Sequence, residues 1–176
     1  MGRTLLTDPT LIDLEFICLN MRECDKREII NLVPFDSPIV LASVCDSLIR
    51  NQGRGRISWA NGRPCAVAAF TEARPGVWEI TMFGTDDFRS GLVPLMRWFR
   101  TEANEILSVC KGHRLQCDSR ADHHEAHKLI RAMGGKEEGP PMQAYGKDMA
   151  DYQRFVWLNG RDDAILRPHY VQAKEA

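Results

Sequence analysis

The feature that most constrains this chain is a pair of apolar runs joined by residues 60–63, Ala-Asn-Gly-Arg. Asn-Gly readily supplies the left-handed backbone positions of a two-residue hairpin turn, so the flanking runs are predicted to pair as antiparallel strands. A second turn at residues 74–76, Arg-Pro-Gly, introduces a third apolar run. The sequence therefore predicts a three-stranded meander made of strands Ile57–Trp59, Cys65–Phe70 and Val77–Phe83.

The hydrophobic period changes directly after the meander. Residues 91–110 carry apolar side chains three and four positions apart, which is the stripe of a helix that packs on a sheet. Because proline is tolerated only near the first turn of a helix, Pro94 predicts that the helix begins close to Ser90 or Gly91. The stripe consists of Leu92, Leu95, Met96, Phe99, Ala103, Ile106 and Leu107.

Helices are also predicted before the meander. Ser37 has the side chain of an N-cap, Pro38 suits the first helical position, and Gly53 follows the end of the pattern. Residues 10–33 fit one or two further helices, with a short strand at residues 14–18 as the competing interpretation.

The remaining elements alternate between strand and helix. They are a strand at residues 113–117, a helix at 122–133 that stops at a Gly-Gly pair, a short strand at 142–145 and a strand at 154–157. Residues 158–176 are polar and lack a pattern. The prediction is one α/β domain over residues 1–157, followed by a C-terminal tail or arm over residues 158–176.

Composition excludes several functional classes. The 176 residues include 23 basic and 24 acidic ones without long like-charge runs, so there is no electrostatic reason to expect nucleic acid or an anionic membrane as partner. No apolar run approaches the roughly 18 residues of a membrane span. The six cysteines form no Cys-x-x-Cys pair and are interpreted as reduced, packed thiols of a protein made in a reducing cytosol.

A histidine cluster at residues 123–127 is similar to a zinc-binding motif but differs from it at one position. Zinc hydrolases carry His-Glu-x-x-His on a helix, with Glu directly after the first histidine. His123 and His127 keep this spacing, but His124 occupies the position of the Glu, and Glu125 lies on another face of the helix. No metal is therefore predicted, and a metal hydrolase is kept as a third functional class that bound zinc would reveal.

The order of elements resembles the GNAT (Gcn5-related N-acetyltransferase) fold, an α/β domain with a mixed, mostly antiparallel sheet flanked by helices. The resemblance reaches residues in the second long helix, where GNAT proteins carry Asn-x-x-Ala-x-x-Leu-Tyr-x-x-x-Gly-Phe. Three positions agree, namely Ala126, Leu129 and Gly134. Three depart from the motif, because His123, Ile130 and Gly135 stand where Asn, Tyr and Phe are usual.

A closer resemblance is to GNAT-like proteins of tailed bacteriophages, often labelled internal virion protein A. It rests on residues 21–29, 78–100, 119–139 and 152–157. In that group a Leu-Arg-x-x-Asp-x-x-Glu segment precedes the sheet, much like Arg22, Asp25 and Glu28 here. The resemblance implies a virion or assembly protein, located in the host cytoplasm and then in the virion, with other phage structural proteins as its partners.

The GNAT resemblance also implies where acetyl-CoA would bind. The family's phosphate loop reads Gln/Arg-x-x-Gly-x-Gly/Ala, and in the corresponding residues 88–93 only Gly91 matches. Two acidic residues, Asp86 and Asp87, precede this loop and disfavour a pyrophosphate. If acetyl-CoA binds, the residues expected to hold it are Phe83, Arg89, Gly91 and His123.

Catalysis would need a base for the amine and an acid for the leaving thiolate. The resemblance implies Glu79 as the base. Because Ile130 cannot act as the acid, Tyr145 or Tyr152 would replace it, and His123 or His124 could also serve near neutral pH. The sequence favours a non-catalytic protein-binding scaffold without a cofactor; the alternative is an active N-acetyltransferase acting on a protein or a small amine.

Overall fold

The computed structural model of the chain describes residues 5–159, and residues 160–176 of the predicted tail at 158–176 lie outside the described residues. The helices are α1 (Leu11–Leu19), α2 (Glu23–Ile29), α3 (Pro38–Gln52), α4 (Phe88–Ser108) and α5 (His124–Ala132), with a 3₁₀ turn at Ile30–Leu32. The strands are β1 (Leu5–Thr7), β2 (Gly53–Ala60), β3 (Arg63–Arg74), β4 (Val77–Gly84), β5 (Arg114–Arg120), β6 (Lys136–Glu137) and β7 (Tyr152–Leu158).

The seven strands form one sheet in the order β1-β2-β3-β4-β5-β7-β6. Every neighbouring pair is antiparallel except β4 and β5, which run parallel. Their pairing covers three residues and ends at Glu79 opposite Gln116, although both strands continue beyond it. The sheet is therefore forked at its centre.

Local signals explain most of these elements. The predicted meander is confirmed as β2, β3 and β4, with longer strands than the apolar runs alone suggested. Helix α3 follows its predicted bounds, and the Ser37 Oγ accepts a hydrogen bond from the Val40 N–H at 3.4 Å. Residues 14–18 lie in helix α1, so the competing strand interpretation was wrong.

Several predicted elements need correction. Helix α4 begins at Phe88, so Pro94 lies in its second turn, where the missing N–H leaves the Ser90 carbonyl without its intrahelical donor. Residue Leu158 belongs to strand β7 and not to the tail. The short strand at 142–145 is reduced to a single bridge between Met142 and Tyr152, and strands β1 and β6 were not predicted at all.

The core lies on both faces of the sheet. On one face, Phe99 of α4 packs between Phe70 and Trp157, with ring centroids 4.9 and 5.9 Å apart. On the other face, α1 and α3 cover a cluster that includes Ile57 and Phe83. The four tryptophans pack in or against these clusters, as the sequence predicted.

The described part of the chain also bears on two predictions from composition. All six cysteines are free thiols. None of the helices within residues 5–159 has the length and apolar character needed to cross a bilayer.

Candidate functional site

The parting of β4 and β5 creates a concavity in the sheet. We call the fork the space between residues 80–84 of β4 and residues 117–120 of β5, beyond the last pair at Glu79 and Gln116. Strand edges that part in this way expose unpaired backbone groups, which can bind an extended ligand or another segment of the chain. Helix α2 crosses the wide end of the fork, and a cavity opens at its narrow end.

Helix α2 and the residues before it cross the wide end, beginning at β4. The buried Asp25 carboxylate accepts a hydrogen bond from the Gly84 N–H at 2.8 Å and two from the Arg22 guanidinium, at 2.7 and 2.9 Å. The Arg22 N–H donates to the Gly84 carbonyl at 3.0 Å, and Met21 bridges to Thr85. Burial raises the pKa of Asp25, and the Arg22 hydrogen bonds oppose that shift.

The same helix is fastened to β5 through Glu28. Its Oε2 accepts hydrogen bonds from the Ser119 Oγ at 2.9 Å and the Arg120 N–H at 3.1 Å. The His123 Nδ1 lies 2.8 Å from the same oxygen. This contact raises the pKa of His123 against the opposing effect of burial. With the Tyr152 hydroxyl also donating to the Glu28 carbonyl at 2.9 Å, α2 is tied to both arms of the fork.

The narrow end of the fork opens into a cavity of about 570 Å³, which we call the Glu79 cavity. Glu79 accepts a hydrogen bond from the Gln116 Nε2, and burial raises the pKa of its carboxyl. Across the cavity, Asp118 and Arg154 form a bidentate ion pair with both N–O distances at 2.7 Å. The remaining wall comes from residues 31–34, after helix α2, and from residues 145–147.

The structure brings the two predicted catalytic residues into this one cavity. Tyr145 lines it together with Glu79, and its hydroxyl accepts a hydrogen bond from the Arg154 Nη2 at 3.5 Å. Burial raises the pKa of Tyr145. Tyr152 is fully buried, and its hydroxyl is committed to the Glu28 carbonyl, so it does not offer an acid to the cavity.

The four predicted cofactor residues do not share a surface. Phe83 is buried beneath α1 and α3, on the far side of the core from helix α4. Arg89 is 85% exposed, and its ion pair with Glu125 is long, at 3.9 Å. His123 is held by Glu28 at the wide end of the fork.

Gly91 has a packing reason for being glycine. A Cβ at this position would lie 2.5 Å from the Cys65 Sγ and 2.6 Å from the Ser58 Oγ, so α4 approaches the sheet too closely for a side chain. The Ser58 hydroxyl also donates to the Gly91 carbonyl at 2.8 Å. The one matching residue of the phosphate loop is therefore explained without a phosphate.

Helix α2 and the start of helix α4 both oppose the binding of acetyl-CoA in the fork. The wide end of the fork, the route from the helix α4 N-terminus to the Glu79 cavity, is crossed by α2 and its contacts with both strands. The start of α4 follows two acidic residues, and its first side chain, Phe88, lies under the Arg22 guanidinium at 3.9 Å. The residues present do not fit acetyl-CoA in this arrangement.

The i,i+4 histidines His123 and His127 do not form a zinc-type pair. His123 precedes helix α5 and contacts Glu28, whereas the buried His127 places Nε2 2.9 Å from the Arg120 carbonyl. The His127 ring packs against Phe155 with centroids 5.0 Å apart, and burial lowers its pKa. The two rings therefore serve different contacts despite their i,i+4 spacing.

Sequence reasoning missed two parts of the site. Only the phage resemblance points to three of its residues, namely Arg22, Asp25 and Glu28. Their spacing of three residues was a further signal, because residues three apart lie on one face of a helix and these charged side chains can contact polar groups together. The second missed part is the polar face of strand β5. Its signal was available, because alternate residues of a strand lie on one face, and here those residues are Arg114, Gln116, Asp118 and Arg120.

A forked, mostly antiparallel sheet with helices on both faces is the architecture of the GNAT fold, and the chain has this fold. Solved structures similar to this chain include N-acetyltransferases. A ribosomal-protein-alanine N-acetyltransferase from Brucella melitensis has a TM-score of 0.68 at 15% identity, covering 88% of this chain and 99% of its own. An N-acetyltransferase from Staphylococcus aureus Mu50 has a TM-score of 0.67 at 17% identity, covering 89% and 98%.

A third similar structure is a spermidine N-acetyltransferase from Vibrio cholerae in complex with CoA and spermine. Its TM-score is 0.64 at 16% identity, covering 89% of this chain and 95% of its own. No family model matches the chain. No curated protein matches it either. At these identities the likeness shows the fold, and the function has to be argued from the site.

Proposed function

We propose that this chain is a GNAT-fold binding protein that holds a primary amine in the Glu79 cavity and does not transfer an acetyl group to it. The observation that carries the proposal is the state of Glu79, a half-buried carboxylate that accepts a hydrogen bond from the neutral Gln116 amide. The two cations that lower its pKa, Arg154 and Arg114, form their ion pairs with Asp118 and Glu138 instead. A lysine side chain of a partner protein is the ligand that this cavity suits best.

Charge selects a cation. Arg154 is paired with Asp118, and Lys147 is paired with Asp36 at 2.6 Å, so Glu79 is the carboxylate of the cavity whose direct ion-pair position is open to a ligand. A carboxylate partly removed from water interacts with a charged ligand more strongly than an exposed one does. An ammonium group that enters the cavity therefore supplies the direct ion-pair partner that residues 5–159 do not give to Glu79.

The shape of the cavity suits a lysine stem. Leu32, Val33 and Pro34 line it beside the charged residues. Lysine buries its methylene stem along apolar surface while its ammonium reaches a polar group. This agrees with the protein-binding role that the sequence favours, whereas a place in a phage particle stays a prediction on which neither the fold nor the comparisons bear.

Titration calorimetry of the purified chain tests the proposal, with a blocked lysine such as N-acetyl-lysine methylamide as the ligand. Glu79→Gln keeps the shape of the side chain and removes its charge, and we expect it to weaken binding by about tenfold or more, equivalent to about 1.4 kcal/mol. Glu15→Gln on helix α1, which does not line the cavity, is the matched control and should bind as the wild type does. Equal affinity in all three proteins would contradict the proposal.

A second titration addresses the cofactor. We expect no heat of binding with acetyl-CoA at millimolar concentration, because α2 crosses the fork. Saturable binding in the micromolar range would show that the fork admits the cofactor and would remove the structural reason for a non-catalytic role, and it would leave the amine site standing.

One observation favours an active N-acetyltransferase as a second candidate function. Glu79 and Tyr145 line the same cavity. Acyl transfer from a thioester needs a base that takes a proton from the ammonium group and an acid that protonates the leaving thiolate, and a carboxylate beside a phenol can fill these two roles. Mass spectrometry of the blocked lysine incubated with acetyl-CoA decides this. Acetylated product that is lost in both Glu79→Gln and Tyr145→Phe would support the second candidate, and no product would support binding alone.

A further inference from the structure

We infer that Cys24, Asp25 and His123 form a binding site for a divalent cation of the zinc class at the wide end of the fork. One donor atom from each residue lies within 4.8 Å of the others. Thiolate sulfur, imidazole nitrogen and carboxylate oxygen are the donors that zinc accepts in proteins. The site is independent of the Glu79 cavity and of any acetyl transfer.

His123 is arranged as metal-bound histidines usually are. Its Nδ1 lies 2.8 Å from the Glu28 Oε2, so the proton on that nitrogen belongs to the carboxylate contact. The lone pair of the neutral ring is then on Nε2, where a metal can use it. A carboxylate behind a histidine ligand fixes its tautomer and ring orientation and increases its basicity. Glu28 has this positioning role here.

Asp25 has a free coordination position next to the thiol. Within residues 5–159, its Oδ1 accepts hydrogen bonds from the Arg22 Nη2 at 2.9 Å and from the Cys24 thiol, whose Sγ lies 3.9 Å away. When a cation binds, the thiol loses its proton to the buffer, and the metal replaces that proton between sulfur and oxygen. Asp25 keeps its hydrogen bonds to Arg22 and to the Gly84 N–H.

The local charge favours a dication. With Cys24 as thiolate, the carboxylates of Asp25 and Glu28 bring the negative groups to three, and Arg22 compensates one of them. A doubly charged ion balances the remainder.

The geometry needs a small adjustment and has access to solvent. Zinc–ligand bonds of about 2.0 to 2.3 Å place tetrahedral donors roughly 3.3 to 3.8 Å apart, so the side chains would move together by about 1 Å. Cys24 is exposed and provides the entry. Three protein donors leave the fourth position to water or to a ligand, as in reactive rather than structural zinc sites.

The test uses the full chain after treatment with a chelator. Cobalt(II) is titrated into the protein, and a sulfur-to-cobalt charge-transfer band in the near ultraviolet reports a thiolate ligand. Zinc that stays bound after dialysis is quantified by inductively coupled plasma mass spectrometry. We expect one equivalent of zinc and a saturating cobalt spectrum.

Matched variants assign the donors. Cys24→Ser and His123→Gln should lose the cobalt band, and Glu28→Gln should lower the affinity about tenfold to a hundredfold. The controls are Cys110→Ser and His124→Gln, which change the same residue types outside the cluster and should bind as the wild type does. Because Cys24 is exposed, its variant is expected to fold even if the His123 variant does not, and circular dichroism checks this.

The response of the cobalt band to these variants tests the site. A cobalt band that disappears in Cys24→Ser and persists in both controls supports the site. Absence of the band in the wild type, or an unchanged band in Cys24→Ser, overturns it.

Discussion

At the scale of single residues, Gly91 shows how packing can imitate a ligand motif. The structure places helix α4 so close to the sheet that a methyl group would meet Cys65 and Ser58. We therefore expect Gly91→Ala to lower the free energy of unfolding by about 1 to 3 kcal/mol, as other overpacked core positions do. Urea denaturation measures this. Ser90→Ala, on the exposed side of the same turn, is the control, and equal stability of the two variants would contradict the packing argument.

Glu79 should make amine binding depend on pH. Burial raises the pKa of this carboxyl above 4.5, so it takes up a proton at a higher pH than a solvated glutamate does. As pH falls through that raised value, the charge that attracts the ammonium disappears and affinity falls. Calorimetric titrations between neutral pH and pH 5 measure the effect. Glu79→Gln has no charge to lose at this position, so its weak residual affinity should stay flat over the same range.

His127 should make the free energy of unfolding depend on pH through a pKa that is lowered in the folded chain. Burial lowers its pKa in the folded chain below the value of 6.5. The unfolded chain therefore binds this proton more readily, and the free energy of unfolding falls as pH drops below about 6.5 until the folded pKa is passed. Replacing His127 by Gln removes this part of the pH dependence. His124→Gln should leave it in place, and identical pH profiles for both variants would rule the explanation out.

At the scale of elements, helix α2 is held by polar contacts more than by apolar burial. Asp25 is its one buried residue, while Glu28 receives hydrogen bonds from Ser119 and Arg120. Removing the Glu28 charge leaves those donors poorly satisfied, so we expect Glu28→Gln to cost about 1 to 3 kcal/mol of stability. The backbone amide of Arg120 should also exchange its hydrogen faster.

The control for this prediction lies on the same helix. Glu23 is exposed, and Glu23→Gln should change stability by no more than about 0.5 kcal/mol. Thermal denaturation and hydrogen exchange followed by mass spectrometry measure both variants. If Glu28→Gln is as stable as Glu23→Gln and exchanges no faster, the contacts do not fasten the helix.

The sequence predicts the elements well where the signal is local. The Asn-Gly turn, the Ser37 and Pro38 start of α3 and the stripe of α4 act within a few residues, and all three elements are confirmed. Strands β1 and β6 have three and two residues, too few for an alternating pattern, and they form because a neighbouring strand offers a free edge.

The candidate site was less accessible from the sequence because it depends on contacts between distant segments. Glu79 and Tyr145 can be named as candidates from the sequence, but the cavity that they share arises from residues of three strands and of two connecting segments, 31–34 and 145–147. The contact of Glu28 with Ser119 joins positions 91 residues apart. No local pattern could show that α2 crosses the fork.

At the scale of the whole molecule, the fork makes the sheet two halves with a narrow direct connection. Strands β1 to β4 form one half and β5 to β7 the other, and the three parallel pairs between β4 and β5 join them. Side chains of α4 span the gap, because Phe99 contacts Phe70 of β3 and Trp157 of β7. The cooperativity of unfolding should therefore depend on this helix.

Phe99→Ala tests that dependence. Truncating a fully buried phenylalanine costs about 3 to 5 kcal/mol, a large part of the roughly 5 to 15 kcal/mol that stabilises an ordinary domain. Because the lost ring joins the two halves, we also expect urea transitions followed by tryptophan fluorescence and by far-ultraviolet circular dichroism to separate, whereas they coincide in the wild type. Val93→Ala, at a position of α4 that is 60% exposed, is the control and should change neither stability nor coincidence. A destabilised Phe99→Ala whose two transitions still coincide would show that α2 and the β4–β5 pairs are enough to couple the halves.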